Sequence, residues 1–200
     1  MKILCACEES QIVTLALREL GHEAYSCDIK PCSGGFPEFH LMCDVIPLLS
    51  EFWDMIIAFP PCTYLSFAGN RHLNQPGRLE KRLAAAEFFM KFVNASCEHI
   101  AIENPVGYMN SVYRRPDQII HPYYFGDPFM KRTCLWLKNL PQLYPTDLLK
   151  RPEPMYVQSN GKKRYWVETV SSSDRRTIRS KTFPGIAAAM AFQWTHNFYI

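Results

Sequence analysis

No apolar stretch in these 200 residues is long enough to cross a bilayer. Acids at Glu8 and Glu9 interrupt the N-terminus before a secretory h-region has formed. The eight cysteines show no C-x-x-C pair and no Cys/His finger spacing, which argues against a zinc module. Nor is a disulfide framework needed, since a chain of this length buries a core large enough to hold itself together. Internal repeats and low-complexity tracts are also missing. These absences leave a chain with reduced thiols, expected in the cytoplasm, with no membrane and no metal partner. Cys5 and Cys7 are expected on one face of a buried strand, as small hydrophobes.

Charge is present but unevenly placed. Residues 1–100 carry 8 Lys+Arg against 12 Asp+Glu, whereas residues 101–200 carry 14 against 7. Much of the surplus lies in "GKKRYW" (Lys162, Lys163, Arg164) and "DRRTIRSK" (Arg175, Arg176, Arg179). Cations beside Tyr and Trp suit a phosphate backbone whose bases can stack, and equally suit a solvated basic face.

Along the chain, apolar runs alternate with helical spacing. Residues 2–7 read as a first strand, and Val13, Ala16, Leu17 and Leu20 recur at helical intervals behind Ser10, an expected N-cap. Strands are expected to end at Asp28 and to cover residues 39–45, 53–59 and 99–104, with a brief helix near 46–51. A long helix marked by Leu79, Leu83, Ala86, Met90 and Val93 precedes the last of these. Such alternation predicts an α/β fold with a mostly parallel sheet and crossover helices. Beyond residue 105 we expect a strand in "KRTCLWLKNL", a hairpin around Asn160-Gly161 and a closing helix in "FPGIAAAMAFQW". The expected organisation is a core over 1–139, a basic, proline-containing elaboration over 140–181 and a returning helix over 182–200.

In parallel sheets, ligands bind beyond the carboxyl ends of the strands. Cys7, Glu8, Asp28, Asp44, Cys62 and Glu103 all fall at or just after such ends. Cys62 follows Pro60-Pro61, so the backbone is stiffened where the thiol projects. Glu103 repeats the arrangement, followed by Asn104 and Pro105. A thiol and a carboxyl on adjacent rim loops suit attack on a conjugated ring, the thiolate adding to carbon while the acid protonates a ring nitrogen.

"PPCTYLSFAGNR" and "IENP", in that order and separated by a long helix, resemble the nucleophile loop and Glu-Asn segment of the cytosine-C5 DNA methyltransferases. "LALRELGHEAYSCDI" is similar to that family's first helix and second strand, and "CDV" to its adenine-contacting segment. The short chain resembles the compact methylase-like proteins of bacteriophages. The resemblance implies a Rossmann-like class I methyltransferase fold, with helices on both faces of the sheet. It further implies transfer of a methyl or related group from S-adenosylmethionine, or a modified S-adenosyl donor, to C5 of cytosine. DNA is the implied substrate, whether duplex, single-stranded or as a nucleotide. By the same resemblance Cys62 attacks C6, Glu103 holds N3 and the exocyclic amine, and Arg132 matches an arginine of the family's Gln-x-Arg-x-Arg strand. Ser66, Asn70, Arg71, Asn104 and Lys131 are implied against base and phosphate. Cys7, Glu8, Glu9, Ser10, Asp28, Ile29, Asp44, Val45, Phe59 and Pro60 are implied around the cofactor.

The chain departs from the family pattern in three places, one being that residues 140–181 are all that remain for a target-recognition region, so that sequence selectivity is expected to be short or lax. The turn after the first strand, Cys7 to Ile12, contains no glycine, and Cys134 stands where the family's second arginine falls. The alternatives therefore stay open: Glu8 and Glu9 as helix-start charges, Asp28 and Asp44 as helix caps, and the chain as a methyltransferase-like module that binds nucleic acid or a nucleotide without transfer.

Overall fold

The computed structural model describes residues 1–166 and 181–196. Its centre is a seven-stranded sheet in the order β3-β2-β1-β4-β5-β7-β6. The strands are β1 (Lys2–Ala6), β2 (Glu23–Asp28), β3 (His40–Met42), β4 (Met55–Ala58), β5 (His99–Pro105), β6 (Gln118–Ile120) and β7 (Thr133–Lys138). The first five run parallel, and β7 enters antiparallel between β5 and β6. The helices are α1 (Ile12–Glu19), α2 (Arg78–Val93), the one-turn α3 (Met109–Val112) and α4 (Pro184–His196). With helices on both faces, this is an α/β, Rossmann-like architecture. No helix among the described residues is long and apolar enough to cross a membrane.

A parallel sheet covered on both faces needs strands that are apolar throughout, as "KILCA" and "MIIA" are. Alternate residues then feed two cores. Ile3, Cys5, Met55, Ile57, Ala101 and Leu135 face α1 and α4, while Leu4, Ala6, Ile56, Ala58, Ile102 and Trp136 face α2. Ile186, Met190 and Trp194, one turn apart on α4, are all buried against the first core, each contributing about 1.5–3 kcal/mol. The Trp194 indole also donates to the Pro141 carbonyl at 2.9 Å, fastening the chain after β7 to α4. On the other face Phe89 meets Trp136 edge-on at 5.2 Å.

Several local expectations are corrected. Cys5 and Cys7 do not share a face: β1 stops at Ala6, Cys7 takes φ of 60°, and its side chain turns toward the α2 side. Ser10 does not cap α1; Gln11 holds that position, also at φ 60°, and the Glu8 carboxylate receives the helix's first N–H groups. The third strand is only His40–Met42, and the brief helix is a 3-10 turn, Pro47–Ser50. Strand β6 was not foreseen, because three residues carry no periodicity; it forms by pairing with β7. On α2 the buried stripe is Arg82, Phe89 and Phe92, leaving Leu79 and Leu83 exposed. A short antiparallel hairpin, β8 (Tyr156–Val157) with β9 (Lys163–Arg164), forms around Asn160-Gly161.

Candidate active site

The five parallel strands deliver their carboxyl ends to one edge, with the switch in connection direction between β1 and β4. Two clusters form there, one on each side of that switch.

The first surrounds the glycine-free turn. Glu8 is buried; one carboxylate oxygen accepts from the Val13 amide at 2.6 Å, the other from the Thr14 amide at 3.1 Å and hydroxyl at 2.6 Å. Burial pushes its pKa up to about 7 against these bonds, which favour the charged form. Glu8 is thus occupied with the start of α1. Glu9 behaves differently: one of its carboxylate oxygens is buried and has no hydrogen-bond partner among the described residues. The loop after β2 lies directly over the turn. The Ser33 amide donates to the Glu9 carbonyl at 2.8 Å, and the Gln11 side chain exchanges two bonds with the Phe36 backbone. A Cβ at Gly34 would come within 2.6 Å of the Gln11 Cβ, so only glycine allows this approach. Burial first, then the charge of Asp28, the Cys27 thiol and Asp44, hold the Cys7 thiol well above its ordinary value. Those carboxylates therefore gather where Cys7 turns. Asp28 and Asp44 each also accept a local backbone N–H, from Lys30 and Ile46. Ile29, 77% exposed, lies beside them on the surface. Val45, expected at the cofactor, instead packs its side chain into the α2-side core. Phe59 is half-buried and Pro60 buried.

The second cluster lies at β4 and β5, adjacent parallel strands with Ala58 opposite Ile102. Cys62 follows β4 by four residues and is half-buried; Glu103 lies within β5, likewise half-buried. The two segments are laced together. The Asn104 amide donates to the Pro60 carbonyl at 2.7 Å, and the Tyr108 N–H to the Leu65 carbonyl at 2.7 Å. Ser66 and Gly107 form an antiparallel bridge. A Cβ on Gly107 would fall 2.1 Å from the Leu65 carbonyl oxygen, so a side chain there would break the lacing. Within the loop, the Leu65 and Ser66 amides both donate to the Cys62 carbonyl. Burial raises the Glu103 pKa, and the Lys131 ammonium opposes that shift. Lys131, not Arg132, is the cation acting on this carboxyl; Arg132 is exposed and its field falls on His121 and Cys134.

Asn104 is buried; its amide nitrogen holds the Pro60 carbonyl, while its Oδ1 is buried without a hydrogen-bond partner among the described residues. Asn70 is exposed, but its carbonyl oxygen accepts from the Arg82 guanidinium at 2.7 Å. That arginine was missed by sequence reading. Buried on α2, Arg82 also donates to the Tyr64 carbonyl at 2.9 Å and lies over the Tyr108 ring, so it clamps the Cys62 loop from below. A cation at helical spacing within an apolar stripe (Arg82, Ala86, Phe89, Val93) was the available signal.

Ser66 is half-buried in the Gly107 bridge, and Arg71 is exposed with its guanidinium against His72. Lys162 and Lys163 are exposed on the hairpin, and Arg164 is half-buried. Arg175, Arg176 and Arg179 lie outside the described residues. No group of three His, Cys, Asp or Glu among the described residues is arranged to hold a metal.

No protein-family model and no curated protein matches this chain. Among solved structures it is similar to a protein from E. coli described as a candidate DNA modification methyltransferase encoded within a prophage. The TM-score is 0.49 at 14% identity, covering 80% of this chain and 58% of that one. The chain thus spans less than two thirds of that protein's length.

Proposed function

We propose that the chain transfers a methyl group, or a related one, from an S-adenosyl donor to C5 of cytosine in DNA through a covalent bond to Cys62. The observation that carries this reading is the lacing of the Cys62 loop to the Glu103 strand at the carboxyl edge of the sheet. Rigid mutual placement of a nucleophile and an acid is what addition to a pyrimidine requires.

The residues at the first cluster fit the donor. A partnerless buried carboxylate oxygen on Glu9 suits an ammonium, Asp28 suits a ribose diol, and exposed Ile29 offers an apolar surface to adenine. When bound, the donor supplies an electrophilic methyl group. The Cys62 thiolate adds to C6 of a cytosine taken out of its stack, forming the S–C6 bond. The C5–C6 π pair shifts toward C4 and N3, and Glu103, whose pKa burial raises, gives its proton to N3. C5 would then bond to the methyl carbon as the donor's S–CH3 bond breaks, its electron pair staying on the departing thioether sulfur. The C5 proton passes to solvent, the electrons of that C–H bond rebuild the C5–C6 double bond, the thiolate leaves, and N3 returns its proton to Glu103.

Release of tritium from DNA carrying [5-³H]cytosine tests this. We expect donor-dependent release that vanishes in Cys62→Ala; release equal in the variant and the parent would refute the Cys62 adduct.

A second reading has its own support. Cys7 and Gln11 hold left-handed backbone that glycine adopts without cost, and the Ser33–Phe36 strap covers the turn. These features suit a methyltransferase-like module that binds nucleic acid or nucleotide without a donor. Calorimetry with S-adenosylhomocysteine separates the two, since the module gives no heat of binding.

A further inference from the structure

Two thiols meet at the edge of the first cluster. Cys27 is the penultimate residue of β2, and Cys43 follows directly on β3. These strands are parallel neighbours, with Cys27 opposite Leu41 and Asp28 opposite Met42. The two sulfur atoms lie 3.9 Å apart, and the Cys27 thiol is 3.6 Å from the Cys43 carbonyl oxygen. Cys27 is buried, whereas Cys43 is exposed. Each is followed at once by a carboxylate, Asp28 and Asp44, and both carboxylates act on the Cys7 thiol nearby. The β2 end is firmly held. The Cys27 carbonyl accepts from the Glu8 amide at 3.0 Å, and the Ser26 hydroxyl bonds to the His40 ring at 2.8 Å. Beyond β3 the bonds are local: the Cys43 amide donates to the Leu41 carbonyl, and the Asp44 carboxylate accepts from the Ile46 amide. A disulfide needs its sulfurs at about 2.05 Å, so the gap closes chiefly by movement of Cys43 toward β2.

We infer that Cys27 and Cys43 form a modification site that peroxides oxidise to a disulfide, drawing Asp44 toward Asp28 and weakening donor binding, the last effect resting on the S-adenosyl seat proposed above. Exposed Cys43 meets the oxidant. Its sulfur takes one oxygen of hydrogen peroxide as the O–O bond breaks, giving a sulfenic acid and one water. The Cys27 sulfur then bonds to the Cys43 sulfur, the S–OH bond breaks, and hydroxide leaves with the Cys27 proton as a second water. Each sulfur gives up one electron, and the peroxide takes both. Burial, then the neighbouring Cys43 thiol, hold the Cys27 thiol above its ordinary value, which suits it to the second step rather than the first. Exchange with a reducing dithiol reverses the bond. Where thiols are kept reduced, disulfides that do form are transient and sense oxidants. Movement of Cys43 carries Asp44 with it, and a second carboxylate then crowds the one offered to the ribose diol.

The test exposes the purified protein to hydrogen peroxide and caps the remaining thiols with N-ethylmaleimide. Unreduced protein is then cut by a glutamate-specific protease, which cleaves at Glu38 between the two cysteines. Mass spectrometry with fragmentation should find one linked peptide pair, joining Cys27 to Cys43, that dithiothreitol releases and Cys43→Ser lacks. Calorimetry with S-adenosylhomocysteine should show affinity weakened about 5- to 150-fold by peroxide in the parent and regained on reduction. In Cys43→Ser, peroxide should leave the affinity where it was. No linked pair, a bond from Cys27 to Cys7 or Cys32 instead, or an oxidised parent that binds as tightly as the reduced one would each overturn the inference. If the reduced protein gives no heat of binding, the donor seat fails, while the linked peptides still decide the disulfide.

Discussion

The two clusters at the carboxyl edge are built by opposite means. At the nucleophile side, prolines stiffen the loop, Gly107 admits a neighbouring backbone, and Asn104 and Arg82 are buried in the service of two carbonyls. At the donor side, a turn without glycine puts Cys7 and Gln11 at φ 60°, a conformation that costs a residue with a side chain about 1–2 kcal/mol. It is held there by the Glu8 carboxylate within and the Ser33–Phe36 strap above. One side is arranged by residues that fit their backbone, the other by neighbours that impose it. On the proposed reading, the first is a rigid placement of reacting groups, and the second is a reshaped seat whose side chains would meet the donor.

That contrast can be attacked most strongly at Glu103. Glu103→Gln removes the proton donor while keeping size, and donor-dependent transfer should fall by about 10²- to 10⁴-fold. In the parent, rates should decline as pH rises through the raised Glu103 pKa, and the variant should lose that limb. A pH–rate profile of both proteins checks this.

At the donor side the largest expected effect is on stability. Glu8 titrates near 7 in the folded chain against 4.5 ordinarily, so between these values the folded state holds the extra proton. Stability should therefore fall as pH rises from about 4.5 to 7, by about 3 kcal/mol from this residue, and level off above. Urea unfolding across that range should show the slope, and Glu8→Gln should flatten it.

Gly107→Ala sharpens the comparison from the other side. Its methyl would meet the Leu65 carbonyl, costing about 1–3 kcal/mol and displacing the loop. Cytosine transfer should drop far more than donor-product binding does, which paired rate and calorimetric measurements would reveal. The smallest effect is expected for Cys7→Gly. Relief of the left-handed backbone offsets lost packing to within about 1 kcal/mol, while affinity for S-adenosylhomocysteine rises as the side chain leaves the turn. A weaker affinity in that variant would mean that the thiol itself contributes to the seat.

Much of the sheet was legible because parallel strands are short apolar runs separated by helical spacing and turn residues. Strands β1, β2, β4 and β5, the long α2, the hairpin and α4 all follow from pattern alone. What escaped depended on partners distant in sequence. Strand β6 exists through β7, Ser10 yields its capping role to a carboxylate that precedes it, and Val45 is drawn into the core. The placement of Cys62 just after β4 and of Glu103 near the end of the adjacent β5 was legible from the proline-marked ends of two apolar runs. Arg82 was not, because its value lies in reaching the Tyr64 carbonyl and Asn70 across the fold. The ring contacts among Phe129, Trp166 and Phe183 likewise join residues that no local window brings together.

The central claim is that the Cys62 sulfur bonds to a cytosine ring. DNA containing 5-fluorocytosine tests it most directly, since a C5 fluorine blocks the final elimination and leaves protein and DNA joined. Incubated with S-adenosylmethionine, the protein should gain the mass of the oligonucleotide, mapped by peptide sequencing to Cys62 and absent from Cys62→Ala. Demonstrated binding of both DNA and donor with no covalent product, or a product attached at another residue, would contradict it.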